Sequence, residues 1–355
     1  MSKRVLITGG AGFVGSALGL GLAQRYPDWQ ITALDNLKRR GSELNLPRLK
    51  QAGIQFIHGD VRNTEDLDPV ALQPDLILEC SAEPSVLAGY ASPGYVLQTN
   101  LVGTVNCLEL ARQTQADFIF LSTSRVYPIA YLNALEFKET ETRFQLLEQQ
   151  SIPGVSSQGI SEEFPLNGAR SLYGATKLAS ELLVAEYADA YGLRTVINRC
   201  GVLTGPWQMG KVDQGVFALW MAFHYFQRSL KYIGYGGTGK QVRDFLHVSD
   251  LLDLIDIQIY RLEELRGQTF NVGGGANNTL SLYETTQICQ EITGQQIPIT
   301  PVSDTRSGDV PIFITDSRKV MSATGWKPQK DAKTTLTEIY EWIHQYKQQV
   351  SEIFL

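Results

Sequence analysis

At 355 residues, 43% hydrophobic and 19% charged, the chain is long enough for one large or two modest globular domains with a substantial core. A net charge of −6 and a pI near 5.4 argue against nucleic acid or an anionic membrane as partner, while leaving room for a local basic pocket that takes a small anion. The four cysteines and four histidines show neither disulfide nor metal-ligand spacing, so no metal site is expected and a reducing cytoplasm fits best.

The N-terminal apolar run VLIT is ended by glycines too early for a signal peptide, and reads as a first strand. Thr8-Gly9-Gly10-Ala11-Gly12-Phe13-Val14-Gly15 follows it directly and opens a helix over Gly12 to Arg25. Glycines 9, 12 and 15 permit a tight turn, close backbone approach to a pyrophosphate and close helix packing, with the helix N-terminus facing the anion. The next strand, ITALD, ends on Asp35, where a carboxylate can bind the adenosine ribose hydroxyls and repel a 2'-phosphate. That favours NAD over NADP, with Arg39 and Arg40 weighing the other way. IQFIHGD ends at Asp60-Val61, placed to contact an adenine or simply to turn the chain. DLILEC and FIFLSTS are further strands, separated by a helical pattern from Tyr95 to Thr114. This alternation predicts a doubly wound parallel sheet whose ligands bind beyond the carboxyl ends of the strands.

Pro128 to Arg170 is polar and rich in Glu and Gln, too long for a plain connector. It reads as either a disordered excursion or, as favoured here, an inserted cap over the site. A helix from Leu172 to Tyr191 then carries Tyr173 and Lys177 in SLYGATK, four residues apart and so on one face, the ammonium near the phenol. Bringing a phenol from its usual value near 10 to about 7 takes roughly 4 kcal/mol, within reach of an ammonium plus an oxidised nicotinamide. A strand at Thr195 to Arg199 follows. Beyond Gly201 the pattern loosens; the apolar stretch around Gly215 to Phe223 is about half of what a membrane helix needs, and GYGGTG is a turn cluster.

Taken together, TGGAGFVG, Asp35, GDVR at 59 to 62, STSRVYP, YGATK and RDFLHVSD resemble the extended short-chain dehydrogenases/reductases, and the likeness runs through essentially the whole chain. The resemblance implies an α/β architecture: a Rossmann domain binding NAD over residues 1–200, with 242–279 returning to it. A smaller mixed domain over 201–241 and 280–355 would hold a nucleoside-diphosphate sugar, and the assembly would be a homodimer or homotetramer. The family pattern carries the catalytic hydroxyl onto Thr123, the acid/base onto Tyr173 and its supporting cation onto Lys177. Asn36, Ser81, Ala82, Asn100, Ser122 and Arg199 fall to the cofactor side. Ser124, Gln208, Lys211 and Gln214 are sugar or nucleotide candidates, and Arg243 and Arg306 match diphosphate positions, where guanidinium forks suit phosphate oxygens.

Family members that dehydrate the sugar place an Asp and a Glu directly after the catalytic hydroxyl. Ser124 and Arg125 stand here instead, and neither replaces the acid and base needed to eliminate water, which favours epimerisation. In RCGVLTGP the family's usual aromatic and Asn fall on Cys200 and Val202, so other groups must orient the ligands at that loop. DNLKRRGSELNLPRL, ECSAEPSVLAG, NRCGVLTGPWQMGKVDQGVF and GGTGKQVRDFLH narrow the resemblance to members that epimerise a CDP-linked deoxysugar at C2.

Overall fold

The computed structural model describes residues 2–210 and 214–354. Short aliphatic and β-branched runs form a seven-stranded sheet from β1 (Arg4–Thr8), β2 (Gln30–Asp35), β3 (Gln55–His58), β4 (Leu76–Glu79), β5 (Asp117–Thr123), β6 (Thr195–Cys200) and β7 (Gln268–Val272). The order is β7-β6-β5-β4-β1-β2-β3 and every pairing is parallel. Successive side chains serve opposite faces, so both sides of the sheet must be covered. Val5, Ile7, Leu78, Ile119 and Val196 pack under α1 (Phe13–Arg25) and, across the sheet from the next two helices, α4 (Val248–Tyr260). Their alternates Leu6, Ile77, Phe118, Phe120 and Ile197 pack under α2 (Gly103–Thr114) and α3 (Leu172–Tyr191). Strand order reverses between β1 and β4, which opens a crevice at the carboxyl edge of the sheet.

The helical pattern expected from Tyr95 to Thr114 starts at Pro93 and passes through a π-helical segment, Gln98–Val102, before α2. A second lobe has its own core, in which helix Val216–Tyr225 packs Phe217 and Trp220 against Leu336, Ile339 and Trp342. Its small sheet corrects the expectation for residues 242–279. Strand Val242–His247 pairs with Val202–Thr204, Thr279–Ser281 and Ile312–Phe313, so the return toward the large sheet begins only at α4. The physical reason is packing: Val242 joins the apolar core of Ile312 and Phe313, and Phe245 that of Phe217 and Trp220.

The segment between Pro128 and Arg170 is ordered, and it is not a cap over the crevice. It forms a short helix, Ile129–Asn133, and two hairpins, Phe137–Glu139 with Phe144–Leu146 and Val155–Ser156 with Gly159–Ile160. Its apolar side chains Phe144, Leu146, Ile160 and Phe164 share a core with Val242, Ile312 and Phe313 of the second lobe. Arg143 fastens the first hairpin, its Nε 2.7 Å from Glu284 Oε1 and its Nη1 2.8 Å from Thr279 Oγ1. Among the described residues no helix is long and apolar enough to cross a membrane. Arg143→Ala should lower the unfolding free energy by about 1.5–3 kcal/mol, the worth of hydrogen bonds to a charged group, measured by urea denaturation, with faster amide exchange over residues 137–146.

Candidate active site

A cleft of about 420 Å³ lies at the carboxyl ends of the central strands, closed on the other side by Leu203, Trp207, Met209 and Gly215. The glycine loop forms one wall. Gly9 has φ +65°, and a Cβ on Gly15 would meet the Gly9 carbonyl oxygen at 2.3 Å, so neither position accepts a side chain without displacing the turn that presents the α1 N-terminus. Gly12, Phe13 and Val14 line the same wall. At its far end, Asp35 accepts the Leu37 N–H at 2.8 Å and the Ala11 N–H at 3.1 Å. Burial pushes its carboxyl up, against those backbone bonds. Asn36 and Val61 complete this end.

The opposite end is built on α3. Ser171 caps the helix by accepting the Gly174 N–H at 3.2 Å, and Gly192 ends it with φ +72°. A Cβ on Gly174 would lie 2.0 Å from the Arg125 carbonyl oxygen. Glycine therefore lets the helix press onto the turn after β5, which brings Tyr173 to Thr123. Both line the cleft, with Ser81, Ala82, Ser122 and Ser124 around them. Burial raises the Tyr173 phenol above its ordinary range, while Lys177, the Thr123 hydroxyl and Arg125 pull it back. Lys177 also lines the cleft although only 1% of it is exposed. Its Nζ lies 3.4 Å from Glu79 Oε2 and 4.4 Å from the centroid of the Phe120 ring.

Five residues expected to touch ligand lie outside the cleft lining, each because its polar atoms are already engaged or its loop stands elsewhere. Arg199 donates from Nη2 to Glu181 Oε2 at 2.7 Å and from Nη1 to the Tyr127 hydroxyl at 3.2 Å, a buried structural pair. Burial pulls its guanidinium down, but Glu181 and Tyr127 more than offset this and raise it. Asn100 is fully buried, bridging the Glu83 backbone and the Thr176 hydroxyl, so it pins the loop after β4 to α3. Asp60 turns to Arg62 and Asn36, and the Arg62 guanidinium holds its carboxyl down at about 2; its neighbours Gly59 and Val61 line the cleft instead. Arg243 donates to Asp309 Oδ1 at 2.8 Å and to the Val310 carbonyl at 2.6 Å. Arg306 stands on the same loop as Asp309, away from the lining.

Gln208 and Gln214 do line the cleft, but Gln208 donates to the Leu203 carbonyl at 2.8 Å and Gln214 is bonded by Arg39. Lys211 lies outside the described residues. Two participants carried no assignment from the motifs. Arg125 lines the cleft beside Tyr173, and its Nη1 donates to the Gly308 carbonyl at 3.1 Å. Burial and then Arg243 lower its guanidinium. Glu79 lies beneath Lys177, and its only sequence signal is a charge closing an apolar run.

A family model described as the NAD dependent epimerase/dehydratase family matches residues 5–273. CDP-paratose 2-epimerase of Salmonella typhi is 30% identical over 351 residues, covering 96% of this chain and 98% of the relative. dTDP-glucose 4,6-dehydratase of Salmonella typhimurium is 26% identical over 360 residues, covering 96% of this chain and 92% of the relative. Among solved structures, UDP-glucose 4-epimerase of Thermus thermophilus in complex with NAD superposes with a TM-score of 0.76 at 26% identity, over 96% of this chain and 99% of that one.

Because Arg199 and Glu181 are 6% and 4% exposed, removing one leaves an uncompensated interior charge. Arg199→Ala should cost roughly 3–5 kcal/mol in chemical denaturation, far more than loss of a surface contact.

Proposed function

The chain belongs to the NAD dependent epimerase/dehydratase family, whose cofactor is NAD, and on that footing we propose that it epimerises C2 of a CDP-linked deoxysugar, converting CDP-paratose to CDP-tyvelose. One observation carries this reading: Tyr173, Lys177 and Thr123 converge at the end of a glycine-cradled cleft, with Ser124 and Arg125 where an eliminating enzyme needs a proton donor and acceptor. The Salmonella typhi relative, matched over almost its whole length, supports the choice of carbon and nucleotide.

The cleft suits NAD in shape and charge. The glycine cradle would hold the pyrophosphate, Asp35 the adenosine ribose, and Tyr173 and Lys177 the nicotinamide end. NAD held there would supply the redox chemistry, a reversible exchange of hydride with C2 of the sugar. Tyr173, ionised, removes the C2 hydroxyl proton and later gives it back. Thr123 hydrogen-bonds the same oxygen and stabilises its developing charge. Burial opposes phenol ionisation, so the cationic neighbours Lys177 and Arg125 are needed to make Tyr173 a base near neutral pH.

Between the two transfers the sugar must turn over, which requires a firm grip on the diphosphate and a loose one on the ring. Arg243 and Arg306 are the candidates for that grip, and Arg243 would exchange its Asp309 partner for phosphate oxygens. Arg125 feels the charges of both ends, since burial and then Arg243 lower its guanidinium while Asp309 and Tyr173 raise it. Leu97 and Leu182, 41% and 68% exposed on neighbouring helices, suit a homodimer interface. C4 epimerisation of a UDP-sugar is the second reading, favoured by the likeness to the Thermus enzyme and served by the same three residues.

Purified protein is expected to carry NAD(H). Incubated with CDP-paratose and no added reductant, it should form CDP-tyvelose by NMR; a product inverted at C4, or stoichiometric NADH release, would replace the C2 assignment. Tyr173→Phe should lower turnover by on the order of 10²–10⁴-fold while keeping the cofactor, and wild-type turnover would remove Tyr173 from the mechanism. Asp35→Asn should shrink the preference for NAD over NADP by on the order of tenfold, equivalent to about 1.4 kcal/mol, read from competitive binding of the two nucleotides.

A further inference from the structure

We propose that Glu79 is a positioning residue for the reaction: its carboxylate holds the Lys177 ammonium in place beneath Tyr173. The inference rests on Tyr173 and Lys177 being the acid/base pair, and adds a residue that no motif assigned. β4 closes the apolar run Leu76-Ile77-Leu78 with Glu79, which is 0% exposed. Asp35, at the end of β2, is satisfied by two backbone N–H groups; Glu79 has the Lys177 ammonium and the Ser81 hydroxyl. A buried carboxylate and a buried ammonium each depend on the other's charge, since either alone would neutralise itself.

Among the described residues, the surroundings of Lys177 offer no substitute for Glu79. On one side stands the Phe120 ring, which favours a cation but fixes no proton. The thiols of Cys80 just after β4, Cys107 on α2 and Cys200 on β6 are all pushed up by burial, Cys200 to about 12, and so stay uncharged at working pH. Glu181, one turn along α3, is consumed by Arg199 and Ser122. On the Tyr173 side the facing groups are Thr123 and Arg125, a neutral hydroxyl and a second cation, which repels an ammonium. Among these neighbours Glu79 is thus the carboxylate that faces the Lys177 ammonium.

The test is a pair of pH titrations on the NAD-bound protein: the ¹³Cε shift of Lys177, and the profile of kcat/KM with CDP-paratose. Glu79→Gln should move the Lys177 titration and the alkaline limb of the profile toward neutrality by a pH unit or more, with turnover at pH 8 down at least tenfold. Glu79→Asp, which keeps the charge one methylene further away, should move both in the same direction by less. In a Lys177→Met background, Glu79→Gln should add no further loss. Unmoved titrations in Glu79→Gln overturn the proposal, as does a full additional loss without the lysine. Should glutamine prevent folding, Glu79→Asp decides in the same way. The outcomes are separable from the reading beneath: persistence of turnover in Tyr173→Phe would remove the acid/base pair, whereas an unmoved Lys177 titration removes only Glu79.

Discussion

Two buried ion pairs of opposite sense hold α3 to the sheet, and the reacting end of the cleft depends on them. Lys177 presents a positive charge to Glu79 on β4, and Glu181, one turn later, presents a negative charge to Arg199 on β6. Because β5 lies between β4 and β6, the two pairs straddle the strand that ends in Thr123. Sliding the helix by a turn would set Glu181 toward Glu79 or Lys177 toward Arg199, placing like charges together in the interior. Buried charges contribute little net stability, yet they penalise the wrong register heavily. Here the register is the one that sets a phenol beside a hydroxyl.

The same clamp explains why the polar residues behind the cleft are so fully engaged. Ser122 bonds Glu181, Arg199 bonds Tyr127, and Tyr127 donates to Asn271 Oδ1 at 2.7 Å, so a chain of interior bonds runs from β5 through β6 to β7. Asn100 does similar work from the π-helical segment, tying α3 to the loop that carries Ser81 and Glu83. Ser122 lines the cleft, and Glu181, Arg199, Tyr127, Asn271 and Asn100 stand behind its lining. Their role is to leave Thr123, Tyr173 and Lys177 few alternatives to the geometry they hold, which is what preorganisation requires of a supporting layer.

Local chemistry was the part legible in the sequence. The glycine loop is defined by three positions within one turn and the Tyr-Lys pair by helical spacing, so each could be read without knowing its neighbours. Arg199, Asp60, Asn100 and Arg243 were harder because a side chain's partner is set by the fold: Glu181, Arg62, Glu83 and Asp309 could not be chosen from composition. The segment from Pro128 to Arg170 misled through its abundance of polar residues. A few apolar side chains, Phe144, Ile160 and Phe164 among them, determine where it packs. Strand Val242–His247 has an ordinary buried pattern, and the cores that Val242 and Phe245 join, which the pattern does not name, set it in the smaller sheet.

The contact between Gly174 and the Arg125 carbonyl has a different character from every attraction described above. The helix rests against the turn at van der Waals limit, with no methyl to hold them apart. Repulsion rises far more steeply with distance than any hydrogen bond weakens, so this contact acts as a mechanical stop. The spacing between Tyr173 and the turn is thereby bounded from below by atomic size and from above by the two ion pairs. The epimerisation proposed above, in which one face of a sugar and then the other is presented, needs a fixed frame against which the substrate moves, and a hard stop supplies that frame without binding the substrate at all.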